Sequence, residues 1–150
     1  MHEAVVIALT SPVQVGIYEN GKLIEAIRDD GVSSDALARI FDPLLKQYRF
    51  ERLIYAKGPG SFMGIKVTYL FLKTLSLVHK IPLEAEDAFF FNENCPIKAV
   101  GKLYFVKNSS KITLENVESP EAGIFSLPES IEHHTFDADP LPYYGIDAVG

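Results

Sequence analysis

The chain has 150 residues, 47% of them hydrophobic, enough for one sizeable core or for two small lobes sharing one interface. Its formal net charge of -6 produces a field that repels polyphosphate, which argues against tight nucleic-acid binding by this chain alone. No apolar run approaches the roughly 18 to 20 residues of a membrane span, and the start at Met1–Ala8 lacks a signal-peptide layout, so a cytoplasmic protein is expected. The single cysteine, Cys95, excludes an internal disulfide framework and cannot by itself build a thiolate metal site.

The run Ala4–Leu9 is continuously apolar and rich in β-branched residues, as in a central strand covered on both faces. Strands are expected at 13–18 and 22–27, because they flank Asn20-Gly21, the dipeptide that most readily supplies two positive φ angles in a tight hairpin. After Asp29-Asp30-Gly31, Ser33 or Ser34 can cap a helix whose Leu37, Ile40, Phe41, Leu44, Leu45 and Tyr48 recur at helical spacing. Pro43 is expected to kink that helix or divide it near Asp42. A fourth strand at 52–56, a long helix from about Phe62 to His79 and a fifth strand beginning at Ile81-Pro82-Leu83 complete a mixed pattern. That order fits an α/β, ribonuclease H-like or actin-like lobe over residues 1–86 better than a purely parallel sheet. From Asp87 to 150 the texture changes to a small, reduced second lobe. It holds a short helix capped by Asp87, a hairpin of 103–106 with 111–114, and a proline-punctuated tail.

A strand, then Gly58-x-Gly60-x-x-x-Gly64, then a helix brings backbone N–H groups and a helix N-terminus together, a geometry that attracts phosphate. The same glycines equally serve a sharp turn and close helix–sheet packing. A dinucleotide-binding enzyme is the alternative reading, with Glu84 and Glu86 as ribose acceptors about 20 residues on. Against it, three strands and a helix precede the loop. No Gly-Lys-Ser or Gly-Lys-Thr follows, so a Walker-type loop is excluded. Ser61 lies directly after Gly60, unlike a nucleophile elbow, and reads as a helix cap. The adjacent His133 and His134 suit a solvated loop better than a metal site, and His2 and His79 have no ligand partner at a useful spacing.

The segment Gly58-Pro59-Gly60-Ser61-Phe62-Met63-Gly64, the helix after it and Ile81-Pro82-Leu83 resemble the signature of the TsaB (YeaZ) family. Thr10-Ser11, Gly101-Lys102-Leu103-Tyr104 and Pro142-Tyr143-Tyr144 resemble further elements of that family's frame. The likeness spans the chain, strong to about Leu83 and weaker beyond. Departures are Leu9 where aspartate is usual, Ser33 near a usual histidine, Met63 and Lys66 within the loop frame, and Lys98-Ala99-Val100 for Asp-Ala-Arg. This describes a shortened, diverged member.

The resemblance implies a non-catalytic subunit of the complex that makes tRNA threonylcarbamoyladenosine. Its partner would be a TsaD-type paralogue in a heterodimer, with a TsaE-type ATPase in the same assembly, tRNA reached only through the complex, and a homodimer as the form open to the isolated chain. It implies no catalytic residue, metal or cofactor of the chain's own, and leaves ATP or ADP a place only at the complex interface. Independently, a helix with Ile65, Val67, Tyr69, Leu70, Phe71, Leu72, Leu75, Leu77 and Val78 needs cover on more than one side, with Lys66, Lys73 and Lys80 marking a narrow polar stripe. The expected partner interface is Leu37, Ile40, Phe41, Leu44, Phe62, Ile65, Lys66, Tyr69, Leu70 and Lys73, and the cover could equally come from the first helix or the second lobe.

Overall fold

A computed structural model describes residues 1–118, 120 and 123–145. Strands β1 (His2–Ile7), β2 (Val13–Glu19), β3 (Lys22–Asp29), β4 (Phe50–Ala56) and β5 (Leu83–Glu86) form one sheet in the order β3-β2-β1-β4-β5. The apolar opening run is the middle strand, as expected. Strands β1, β2 and β3 pair antiparallel, whereas β1–β4 and β4–β5 pair parallel, so the sheet is mixed. Asn20 (φ 50°) and Gly21 (φ 82°) both occupy the left-handed region that the β2–β3 hairpin requires. Strand β5 starts later than expected, at Leu83, because Pro82 has no N–H to give the ladder; its carbonyl instead accepts from the Leu53 amide at 2.9 Å.

Helices α1 (Ser33–Gln47) and α2 (Phe62–His79) cover one face of the sheet. Two expectations for α1 need correction. Neither Ser33 nor Ser34 caps it: Val32 is the N-cap, with no side-chain bond, and the serines already lie in the first turn. Nor does Pro43 divide it, since the helix runs unbroken to Gln47. Pro43 sits on the exposed side, where water can serve the carbonyl its ring leaves unpaired. Under these helices Ala4, Val6, Val15, Ile17, Leu53 and Tyr55 meet Leu37, Phe41, Leu44 and Leu72 in the first core.

The opposite face, with Val5, Ile7, Tyr18 and Ile54, packs against residues C-terminal to β5. These begin with a 3₁₀ turn at Ala88–Phe91, where the Asp87 carboxylate accepts from the amides of Phe89 and Phe90 as expected. A three-stranded antiparallel sheet follows, β6 (Ile97–Val100), β7 (Leu103–Asn108) and β8 (Lys111–Asn116), so the expected hairpin gains a third strand.

From Gly123 to Gly145 the chain then crosses the second face as a strap. Gln14 Nε2 donates to the Phe125 carbonyl at 2.9 Å, and Leu127 lies over Gly16. The Leu23 amide donates to Glu129 and the Ile131 amide to Gly21, which ties the strap to the β2–β3 hairpin. At the other edge Ala85 and Asp137 exchange both backbone bonds, 3.0 and 2.8 Å, and Lys57 Nζ reaches Asp137 at 2.7 Å. The Lys57 hydrogen bond, with the Asp139 amide behind it, holds the Asp137 carboxyl below the usual carboxylate range.

Two buried tyrosines, one from each face of the large sheet, anchor the strap: Tyr18 donates to the Pro128 carbonyl at 2.5 Å and Tyr55 to that of Pro140. Burial pushes both phenols well above their ordinary value. Because their folded pKa is raised, the stability they contribute is fully present below about pH 10 and is lost as pH climbs past it. In an alkaline titration read by phenolate absorbance, Tyr18 and Tyr55 are expected to ionise only as the fold opens, after the exposed members of the seven tyrosines. Reversible ionisation of all seven together in the folded protein would contradict this packing.

Candidate functional site

The glycine segment forms a corner between β4 and α2. Gly58 has φ +116°, and its carbonyl accepts from the Ala88 amide at 2.7 Å. Gly60 lies under Leu9: a Cβ there would stand 3.1 Å from a Leu9 methyl. A Cβ on Gly64 would stand 2.8 Å from the Ala8 carbonyl oxygen. Gly58 is therefore required by its positive φ and Gly64 by the close approach of the Ala8 carbonyl, while Gly60 is favoured by the tight seating of Leu9. Ser61 is the N-cap of α2, its Oγ accepting from the Gly64 amide at 3.3 Å, as read from the sequence.

Beside this corner, between the large sheet and the small one, lies a cavity of about 370 Å³. Its lining includes Leu9, Thr10, Gly60, Ser61, Lys98 and Phe125. Leu9, just past the end of β1, is almost wholly buried and presents an apolar side chain to this cavity. Asn92, also buried at this wall, donates from Nδ2 to the Cys95 carbonyl at 3.0 Å, and its Oδ1 has no protein partner among the described residues.

The carboxylates that the dinucleotide reading needs are engaged elsewhere. Glu84 Oε1 accepts from Arg52 at 2.6 Å, and Arg52 also binds Glu3. Glu86 lies 2.7 Å from His134 Nε2 and accepts from the Asp87 amide at 2.8 Å. His134 also stacks on Phe90 with ring centroids 4.2 Å apart, so of the two histidines only His133 is solvent-exposed. The solvated-loop expectation is corrected for His134, which no local spacing signals because its partners are 48 and 44 residues away. Among the described residues no three His, Cys, Asp or Glu side chains converge as a metal-ligand group.

The second candidate surface is the outer face of α2. Here the expected interface divides. Leu37, Ile40, Phe41, Leu44 and Ile65 are buried in the two cores, so they are corrected to structural residues: their periodicity marks the face that meets the sheet, which sequence cannot separate from a face that meets a partner. Phe62, Lys66 and Leu70 are exposed, and Tyr69 and Lys73 half-buried. Further apolar groups share that outer side. Met63 (68% exposed), Leu70 (53%) and Leu77 (69%) recur every seven residues, with Val78 (68%) beside them. Their common spacing is the signal that would have singled them out. Phe71 turns toward α1, its ring 5.9 Å from that of Phe41.

A mixed five-stranded sheet with strand order β3-β2-β1-β4-β5, two helices on one face and a glycine corner into α2 define a lobe of the ribonuclease H-like, actin-like class. Within that class the chain has the fold of YeaZ. YeaZ from Pseudomonas aeruginosa superposes with a TM-score of 0.59 at 13% identity, covering 79% of this chain and 66% of that one. A second solved structure, described as an uncharacterized protein with similarity to the peptidase YeaZ from the same organism, gives a TM-score of 0.59 at 12% identity, covering 80% and 66%. This chain thus spans just under two thirds of the length of these neighbours, 66%, and at such identities the likeness is one of fold. No protein-family model and no curated protein matches the sequence. The TsaB (YeaZ) resemblance carried by the glycine motif and the structural likeness to YeaZ nevertheless converge on one fold. Among the described residues, no helix is long and apolar enough to cross a membrane.

Proposed function

We propose that this chain is a non-catalytic, cytoplasmic partner subunit of the complex that makes tRNA N6-threonylcarbamoyladenosine, and that it docks a TsaD-type threonylcarbamoyl transferase through the outer face of α2. The observation that carries this reading is the exposed apolar row Met63, Leu70, Leu77 and Val78 on the helix launched from the glycine corner of a YeaZ-like fold. Apolar side chains this exposed, recurring along one side of a single helix, fit a surface that another protein covers. Phe62, Lys66, Tyr69 and Lys73 flank that row and belong to the proposed interface. A role without chemistry of its own is supported by Leu9, an apolar residue where the family resemblance expects aspartate, and by the engagement of Glu84 with Arg52 and of Glu86 with His134. In this reading tRNA, ATP or ADP and a TsaE-type ATPase belong to the assembly and not to the isolated chain.

Co-expression with the TsaD-type paralogue from the same genome, followed by size-exclusion chromatography, tests it. Co-elution of the two as a stoichiometric complex is expected; separate elution at micromolar concentrations, with and without ATP, would sink the reading. A second reading, an enzyme or sensor taking a nucleotide-class ligand, has in its favour the cavity beside Gly60 and Ser61. Thermal stabilisation of the isolated chain by ATP or NAD(P) would favour it.

A further inference from the structure

Helix α2 repeats two kinds of residue at the same seven-residue interval: Met63, Leu70, Leu77 and Lys66, Lys73, Lys80, the last of these being its C-cap. At about 100° per residue the apolar triad points away from the sheet, and the lysines gather on one flank, roughly 60° round the axis. Phe71, which meets Phe41 of α1, marks the other flank, so Lys66 and Lys73 line the side away from α1, while Lys80, at the left-handed C-cap, borders the C-terminal end of α1. Lys66 and Lys73 stand about 10 Å apart along the helix, and Lys80 follows at its end.

Among the described residues none of the three has a carboxylate within 4.0 Å. The sequence around them is devoid of acids: the chain has 20 Asp and Glu, yet none occurs between Arg52 and Leu83. At the far end Lys80 joins Arg49 and His79 around a cavity of about 470 Å³ whose lining holds no carboxylate. A chain of net charge -6 therefore presents a row of uncompensated positive charge beside an apolar seam.

We propose that the occupant of this face is an amphipathic helix of the partner protein, with Asp or Glu seven residues apart along one side of its apolar seam, facing Lys66 and Lys73, and a further acid reaching Lys80 at the helix end. The proposal rests on α2 being the docking face and adds the chemistry of what docks there. A second copy of this chain fits poorly, because a two-fold contact between α2 helices brings lysine rows together with no acid on either helix to meet them. Nucleic acid would use the lysines but leave Met63, Leu70 and Leu77 uncovered.

Calorimetric titration of the full chain with the TsaD-type paralogue at about 50 and about 500 mM NaCl tests this. Affinity is expected to fall at least ~10-fold at the higher salt, and the K66E/K73E/K80E variant to bind at least ~30-fold more weakly at the lower. A thermal melt checks that the variant folds; K66E/K80E, at two exposed positions, replaces it otherwise. Wild-type binding that neither salt nor charge reversal weakens would overturn the acidic occupant alone. Absence of wild-type binding would overturn the docking reading and this inference together. Tight binding of the isolated chain to unmodified tRNA, abolished by the reversal, would assign the lysines to nucleic acid and overturn the proposal as well.

Discussion

Gly58→Ala is expected to destabilise the protein by about 3 kcal/mol, lowering Tm by several degrees in a thermal melt. Two costs add. A φ of +116° is strained for any residue with a side chain, which contributes on the order of 1 to 3 kcal/mol. The new Cβ would also fall well inside contact distance of the Tyr143 carbonyl oxygen and 2.9 Å from an Ile65 methyl. The Tyr143 oxygen is backbone, so relief there has to come from a shift of the strap, at the cost of the 2.8 Å bond from the Tyr143 amide to the Lys57 carbonyl. A loss below about 0.5 kcal/mol would mean that the corner is not built as described.

The paired substitution Leu70→Gln and Leu77→Gln is expected to weaken binding to the paralogue at least ~30-fold while leaving the fold within about 0.5 kcal/mol of the parent. Glutamine is a good helix former of similar length, and both leucines are more than half exposed, so the isolated chain loses little. Central apolar anchors of an interface cost about 2 kcal/mol or more when removed, which is the ~30-fold expected. Because glutamine is uncharged, this test is independent of the lysine row. Unchanged affinity, read by the same calorimetry, would move the docking surface away from α2.

The two predictions draw on features of unequal legibility. Asn20-Gly21 announced its hairpin, Asp87 its cap and Gly58 to Gly64 their corner, because each is fixed by the conformational preference of one or two residues. The limits of α1 were less readable: Ser33 and Ser34 offer cap oxygens that the helix leaves unused, and Pro43 is tolerated because its face is wet. Strand β6, only Ile97–Val100, is too short to show a period. The interface residues on α1 misled because Leu37, Ile40, Phe41 and Leu44 are apolar for the sheet's sake, and apolarity carries no label for what it meets. Least legible were the ties that bind distant segments, such as Glu86 with His134 or Lys57 with Asp137, since nothing local records a partner 48 or 80 residues away.

The strap gives the chain a particular history of assembly. Gln14 meets Phe125 and Tyr18 meets Pro128 across separations of 111 and 110 residues. While the polypeptide is still emerging from the ribosome, α1 and α2 can already roof one side of the sheet, yet Val5, Ile7, Tyr18 and Ile54 stay partly open on the other until those late residues arrive. The second face is thus closed by the contacts most distant in sequence, which carry the largest loop-closure cost of the fold.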